Sequence, residues 1–227
     1  MEYSGGYFLL SAASADQASY QEQLESRGFR VRKLISMDEA VGGVFPNLFD
    51  IWANRLPERP TPILSETVLD KVLLSRVFGT LEDAWEGYRE AKPKDASVSL
   101  IGISLDEKYL EEFYDWLDQT NDGIEEGDGV VNCLEKKQVV SSGGIFRGFD
   151  VAGYEGWGWF LSFLGNDLLQ DYLAHEPTVS INEWGLFPNQ QTAEVLACYT
   201  NDVLKDLVGA EENLIWLPWK ITEYHSI

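Results

Sequence analysis

The chain has 227 residues, with 17 Lys+Arg against 38 Asp+Glu and a formal net charge of -21. A folded protein this acidic repels nucleic acids and anionic membranes and attracts basic partners over several ångströms. Apolar residues make up 44% and aromatic residues 13%, which is enough to bury a core, so the acidity does not mark a disordered chain.

In chain order, Tyr7–Ala13 reads as a strand and Ala15–Arg27 as a polar helix closed by Gly28. Phe29–Ile35 alternates loosely and reads as a second strand, giving a β-α-β opening. Gly5 and Gly6 precede the first strand, so no phosphate-cradling glycine loop follows it. Residues 42–62 carry Pro46, Pro57, Pro60 and Pro62 and read as a long connection with at most one short helix, around Leu48–Asn54. Ser65 is placed to cap a helix whose apolar face is Val68, Leu69, Val72, Leu73 and Val77, ended by Gly79. Thr80, with Asp83 three residues on, opens another helix that runs to about Ala91 and stops before Pro93. Residues 92–96 form the best internal boundary, dividing 1–93 from 94–227 as two lobes of a single compact unit.

Beyond it, Ser97–Ser104 alternates as a strand, and Asp106–Gln119 is an amphipathic helix with Leu110, Phe113 and Leu117 at helical spacing. Asn121–Gly129 reads as a polar loop, Val130–Leu134 and Gln138–Val140 as short strands, and Gly143-Gly144 as a turn. Trp157–Leu173 reads as a buried helix broken by Pro177, and Asn189–Leu207 as the last long helix, closed by Gly209. Leu214–Tyr224 reads as a terminal strand in which Pro218 implies an edge position or a bulge. The pattern predicts an α+β fold: a mixed or antiparallel sheet with several packed helices.

Chemistry-bearing motifs are sparse. Cys133 and Cys198 form no CxxC pair, which argues against a zinc cluster, and they read as reduced, partly buried thiols. His175 falls at a predicted helix end and His225 near the last residue, positions that fit a helix-dipole contact and a loose terminus better than general-base work. No G-x-S-x-G, Walker A or HExxH motif occurs. Asp118–Asp128 places Gly123 at the sixth position of a calcium loop, but Thr120 at the third and Gly129 at the twelfth break the ligand pattern. No cofactor, metal or catalytic activity is expected. The first residues lack a signal peptide's basic and apolar regions, and no apolar run is long enough to span a membrane, so the expected location is cytoplasmic.

The acids, by contrast, cluster. Asp106, Glu107, Glu111, Glu112, Asp115, Asp118, Asp122, Glu125, Glu126 and Asp128 surround a single base, Lys108. Glu107, Glu111 and Asp115 follow one another at i, i+4 opposite Leu110, Phe113 and Leu117, and each such like-charged pair costs about 0.2–0.5 kcal/mol. Two accounts stay open: a solvated face that tolerates the repulsion, or a partner-binding face whose repulsion a cationic protein relieves.

Three short stretches carry a resemblance. Gly148–Tyr154 (G-F-D-V-A-G-Y), Phe160–Leu164 (F-L-S-F-L) and Ile181–Phe187 (I-N-E-W-G-L-F) resemble bacterial immunity proteins that guard against polymorphic and contact-dependent toxins. A G-x-D/E-hydrophobic turn, a Ser-Phe-Leu helix start and an Asn-x-x-Gly-Leu turn recur in that family. The motifs are fold markers and bring no toxin-binding residue with them. What the resemblance implies is a bacterial cytosolic inhibitor of one cognate toxin. A nuclease suits such an inhibitor well, because a cleft that holds phosphates is lined by Lys and Arg. Inhibition by occlusion of a basic partner is thus the leading expectation. An enzyme with an unrecognised carboxylate site, a regulatory or structural interaction module, and an inhibitor that imitates DNA are the alternatives.

Overall fold

Five segments rich in β-branched and aromatic residues pair into one sheet: β1 (Glu2–Leu10), β2 (Ser99–Asp106), β3 (Ile145–Gly156), β4 (Trp159–Ser162) and β5 (Ile215–Tyr224). Their order is β1-β2-β5-β3-β4, and every neighbouring pair is antiparallel. This computed structural model describes residues 1–10, 15–38, 64–73, 76–120, 128–156, 159–165, 172, 179–203 and 214–225. Six α-helices stand among them: α1 (Ala15–Ser26), α2 (Glu66–Leu69), α3 (Leu81–Ala91), α4 (Leu110–Thr120), α5 (Gly129–Glu135) and α6 (Gln190–Val203). The expected α+β architecture is therefore the one formed. The sheet takes β1 from before Pro93 and its other four strands from after it. No described helix is long and apolar enough to cross a membrane.

Strand side chains alternate between faces, and the core divides accordingly. On one face Phe8, Ile101, Ile103, Tyr154, Leu217, Trp219 and Ile221 pack with Leu110, Phe113, Trp116 and Leu117 of α4 and Val130, Val131 and Leu134 of α5. On the other, Val151 and Trp216 meet Leu24 of α1 and Leu196 of α6, while Tyr7, Leu9, Leu100 and Tyr224 meet Val68 of α2 and Ala84 and Ala91 of α3. Most aromatics are core: Phe113 lies 5.7 Å from Tyr154 and 6.2 Å from Trp219, centroid to centroid. Trp159 and Phe146 are exceptions, about half exposed.

Local signals hold where the structure is local. Ser65 and Thr80 are N-caps, their hydroxyls accepting from the amides of Val68 and Asp83. Several readings fail where partners distant in sequence decide. Phe29–Ile35 is no strand; Arg32, Lys33 and Ile35 donate irregular bonds to the carbonyls of Glu183 and Trp184. The helix after Ser65 spans only Glu66–Leu69, because the chain reverses through Arg76 (φ 59°) to bridge Val72 to Phe78. Val130–Leu134 is helical, as part of α5, and Gln138–Val140 makes only an isolated bridge, from Val139 to Tyr3. Trp159–Ser162 is a strand rather than helix, with burial alternating along it as its side chains switch faces. Gly5 and Gly6 lie inside β1, at a bulge, instead of before it. The Leu48–Asn54 helix, Pro177, His175 and Gly209 lie outside the described residues.

Pro218 sits in the central strand, neither at an edge nor at a bulge. Two features make room for it. The β2 ladder stops at Ser104↔Lys220, short of the proline. Opposite it on β3 is Val151, two residues from Phe149, which exchanges both backbone bonds with Phe187 on the side away from β5. Val151 shares that orientation, so neither neighbour asks the proline for an N–H.

The three stretches that carry the immunity-protein resemblance converge on β3. Asn182 donates its side-chain amide to the Arg147 carbonyl at 2.6 Å and accepts from the amides of Trp184 and Leu186. Gly148 lies beneath that turn at φ 148°, where a Cβ would stand 2.7 Å from Leu186 Cβ and 2.8 Å from the Phe187 carbonyl. Only glycine fits both that backbone and that approach. Ser162, at the end of β4, donates its hydroxyl to Asp150 of β3.

Candidate functional site

Where β2 ends, Asp106 turns the chain. Its carboxylate accepts from the Lys108 amide at 3.1 Å and caps a 3-10 turn, Glu107–Tyr109, which runs directly into α4. Burial of Leu110, Phe113, Trp116 and Leu117 against the sheet fixes the helix's rotation. Glu111, Glu112, Asp115 and Asp118 are thereby held out to solvent, and Glu107 precedes them in line. Glu107 has local company: it takes the Tyr3 hydroxyl at 3.4 Å and stands 3.5 Å from the amino group of Met1. Among the described residues no lysine or arginine pairs with Glu111, Glu112, Asp115 or Asp118.

Lys108, the one base in the run, does not relieve them. It pairs with Glu194 of α6 at 2.5 Å and lies 4.9 Å from the centre of the Tyr109 ring. Glu112 is shifted toward protonation, first by partial burial and then by repulsion from Asp202 of α6. The acidic surface thus continues from α4 onto α6. Sequence reasoning missed Asp202, because 90 positions separate it from Glu112 and nothing local marks their approach.

The structure divides the sequence-derived candidates. Asp106, Glu107, Glu111, Glu112, Asp115 and Asp118 share one end of the molecule. Asp122, Glu125 and Glu126 lie outside the described residues. Asp128 needs correction: it is fully buried and offers a partner nothing. Its carboxylate accepts from the amides of Val130 (2.9 Å) and Val131 (3.1 Å) and from the Tyr154 hydroxyl. It is the N-cap of α5 and ties that helix to β3. Reading Val130–Leu134 as a strand hid this, since only a helix start has unpaired amides to receive an aspartate.

Two further acids are also structural. Asp150 is fully buried, accepting from the Ser36 hydroxyl (2.9 Å), the Met37 amide (3.0 Å) and the Ser162 hydroxyl (2.9 Å). Asp38 accepts from the Ser162 amide at 3.0 Å. Burial pushes Asp150 up to about 6; the donors from Met37, Ser162 and Ser36 pull the other way, and Asp38 adds to the rise. These bonds strap residues 36–38 to β3 and β4. No cluster of His, Cys, Asp and Glu suited to a metal ion occurs among the described residues. Both cysteines are free; Cys133 is buried, and Cys198 is exposed where partial burial was expected.

No protein-family model matches this chain, and no curated protein or solved structure does either.

Proposed function

We propose that this chain is an acidic binding protein that neutralises a basic protein partner by covering it, and that the partner is the toxin against which it gives immunity. The observation that carries the reading is the solvent-facing row Glu107, Glu111, Glu112, Asp115 and Asp118, none of which pairs with a lysine or arginine among the described residues. Asp106 heads that row and Asp202 widens it; Asp122, Glu125 and Glu126 follow it in sequence, outside the described residues, and Asp128 is withdrawn from it. Keeping like charges together lowers the free protein's stability, and a cationic surface laid against them recovers the loss. The same field speeds encounter with a basic cleft, and contacts formed after docking set the lifetime of the complex. The chain acts by occupying a surface and carries out no reaction of its own.

The test uses the triple variant Glu107→Lys, Glu111→Lys and Asp115→Lys against a basic toxin encoded beside this chain. Stopped-flow association at low ionic strength should slow by roughly tenfold or more, with a flattened salt dependence. An unchanged association rate and affinity would remove this face from the interface.

A further inference from the structure

Ser99 and Asp106 lie at opposite ends of β2, seven residue steps or roughly 23 Å apart. The acidic face begins at Asp106. At the Ser99 end, a cleft of about 410 Å³ opens between the C-terminal end of α3 and the end of β5. Lys33, Lys92, Glu223 and His225 line it, with Ser99 and the Tyr88 ring beside them.

Lys92 is held in place. Its ammonium donates to the carbonyls of Ala96 and Val98, each at 2.8 Å, and stands 5.5 Å from the centre of the Tyr88 ring. An ammonium has three protons, so one is left over. No carboxylate among the described residues pairs with it, in a chain that carries 38 of them. Lys33 donates to Ser99 Oγ at 2.5 Å and to Glu223 Oε1 at 3.3 Å. The other oxygen of Glu223 takes Arg147 Nε at 2.7 Å and Nη2 at 2.6 Å. Burial alone would raise Glu223, but Lys33 and Arg147 outweigh it and hold the carboxyl below its usual range. His225 Nε2 lies 3.0 Å from Arg147 Nη2 and 3.5 Å from Glu223. Lys33 and Arg147 thus offset the one buried carboxylate, while Lys92 has no carboxylate partner among the described residues, so the cleft keeps a surplus of fixed positive charge on a strongly negative molecule.

We propose that this cleft binds an oxyanion, the phosphate or carboxylate group of a small ligand, with Lys92 and Lys33 as its charge partners and the Tyr88 ring as a wall for the ligand's body. Cations already fixed by the fold lose little freedom on binding, and charge-assisted hydrogen bonds to an oxyanion are the strong kind. The volume falls within the roughly 300–1,000 Å³ of small-molecule sites. This site shares no residue with the acidic face, so either assignment stands or falls without the other.

The experiment is an NMR titration of the whole chain with inorganic phosphate and, separately, with acetate, at constant ionic strength and with chloride as the control. The expected result is saturable shifts centred on Lys33, Lys92 and Ser99. The anion that saturates at lower concentration identifies the ligand's group. Lys92→Gln should weaken binding roughly tenfold, and Lys92→Arg should restore most of it. Because Lys92 also holds the end of α3, Lys33→Gln is the second variant, and it should weaken binding without touching those carbonyls. Shifts that fail to saturate, that chloride reproduces, or that survive both glutamine variants overturn the proposal.

Discussion

The outer face of α4 and the head of α5 are built from the same acidic run, yet they use carboxylates in opposite ways. On α4, Glu111, Glu112, Asp115 and Asp118 face water with no described lysine or arginine paired to them. At α5, Asp128 is sealed under the sheet and satisfied by two amides and a tyrosine hydroxyl. The difference is donors. A carboxylate enters a core only where the fold supplies hydrogen bonds enough to replace water. The head of a helix does that, because its first amides have no partners within the helix.

Four changes sharpen or break this contrast. The largest effect concerns thiols. Cys133 lies on α5 just beyond Asp128, and burial pushes it up to about 11, with Asp128 adding to the rise and Lys136 opposing it. Cys198 is exposed. Labelling by a disulfide reagent should modify Cys198 at once and Cys133 roughly a thousandfold more slowly, at the rate of opening. Comparable rates would show that the α5 head is open to water. Next, Asp128→Ala should lower the free energy of urea unfolding by about 3–5 kcal/mol, because it strands two amides and the Tyr154 hydroxyl. A loss under about 1 kcal/mol would contradict the cap.

Asp150 supplies the third change. Its carboxyl titrates higher in the folded chain, about 6, than its ordinary 3.8, so the folded state holds this proton more tightly. The resulting stability is fully present below pH 3.8 and is lost as pH rises through about 6. The loss is about 3 kcal/mol in all, from about 1.4 kcal/mol per unit. In paired unfolding curves from pH 4 to 7, Asp150→Asn should therefore gain on the parent as pH rises. A constant gap would deny the buried titration. The smallest effect is on α4: Glu111→Lys should stabilise the free protein by a few tenths of a kcal/mol at low salt and by nothing at high salt, as repulsion from Glu107 and Asp115 turns to attraction. A clear loss would mean that Glu111 has a structural partner.

The same physics separates what can be read from the chain and what cannot. Thr80, Asp83 and the stripe Leu110, Phe113 and Leu117 are legible because caps and helical faces are set by residues three or four positions away. Val130–Leu134 looks like a strand by its β-branched residues, and it takes the Asp128 cap to make it a helix. Trp159–Ser162 becomes a strand only because β3 lies beside it. In the acidic site, exposure along α4 follows from periodicity. The inward turn of Asp128 and the approach of Asp202 to Glu112 depend on tertiary packing that no local pattern encodes. Lys92 is also silent in sequence, although its anchors lie only four and six positions on, because they are backbone carbonyls and leave no side-chain pattern to read.

The place of β5 bears on how this molecule is made. It is the last of the five strands to leave the ribosome, yet it lies between β2 and β3 and joins two strand pairs that are not otherwise hydrogen-bonded to each other. Until translation has passed Tyr224, the nascent polypeptide holds two half-sheets, each with an open inner edge that invites misassociation. Closure then requires contacts across more than a hundred positions, which slows maturation. Under the proposed function, such a chain would restrain its partner only some time after synthesis, so its production would have to begin before the partner's.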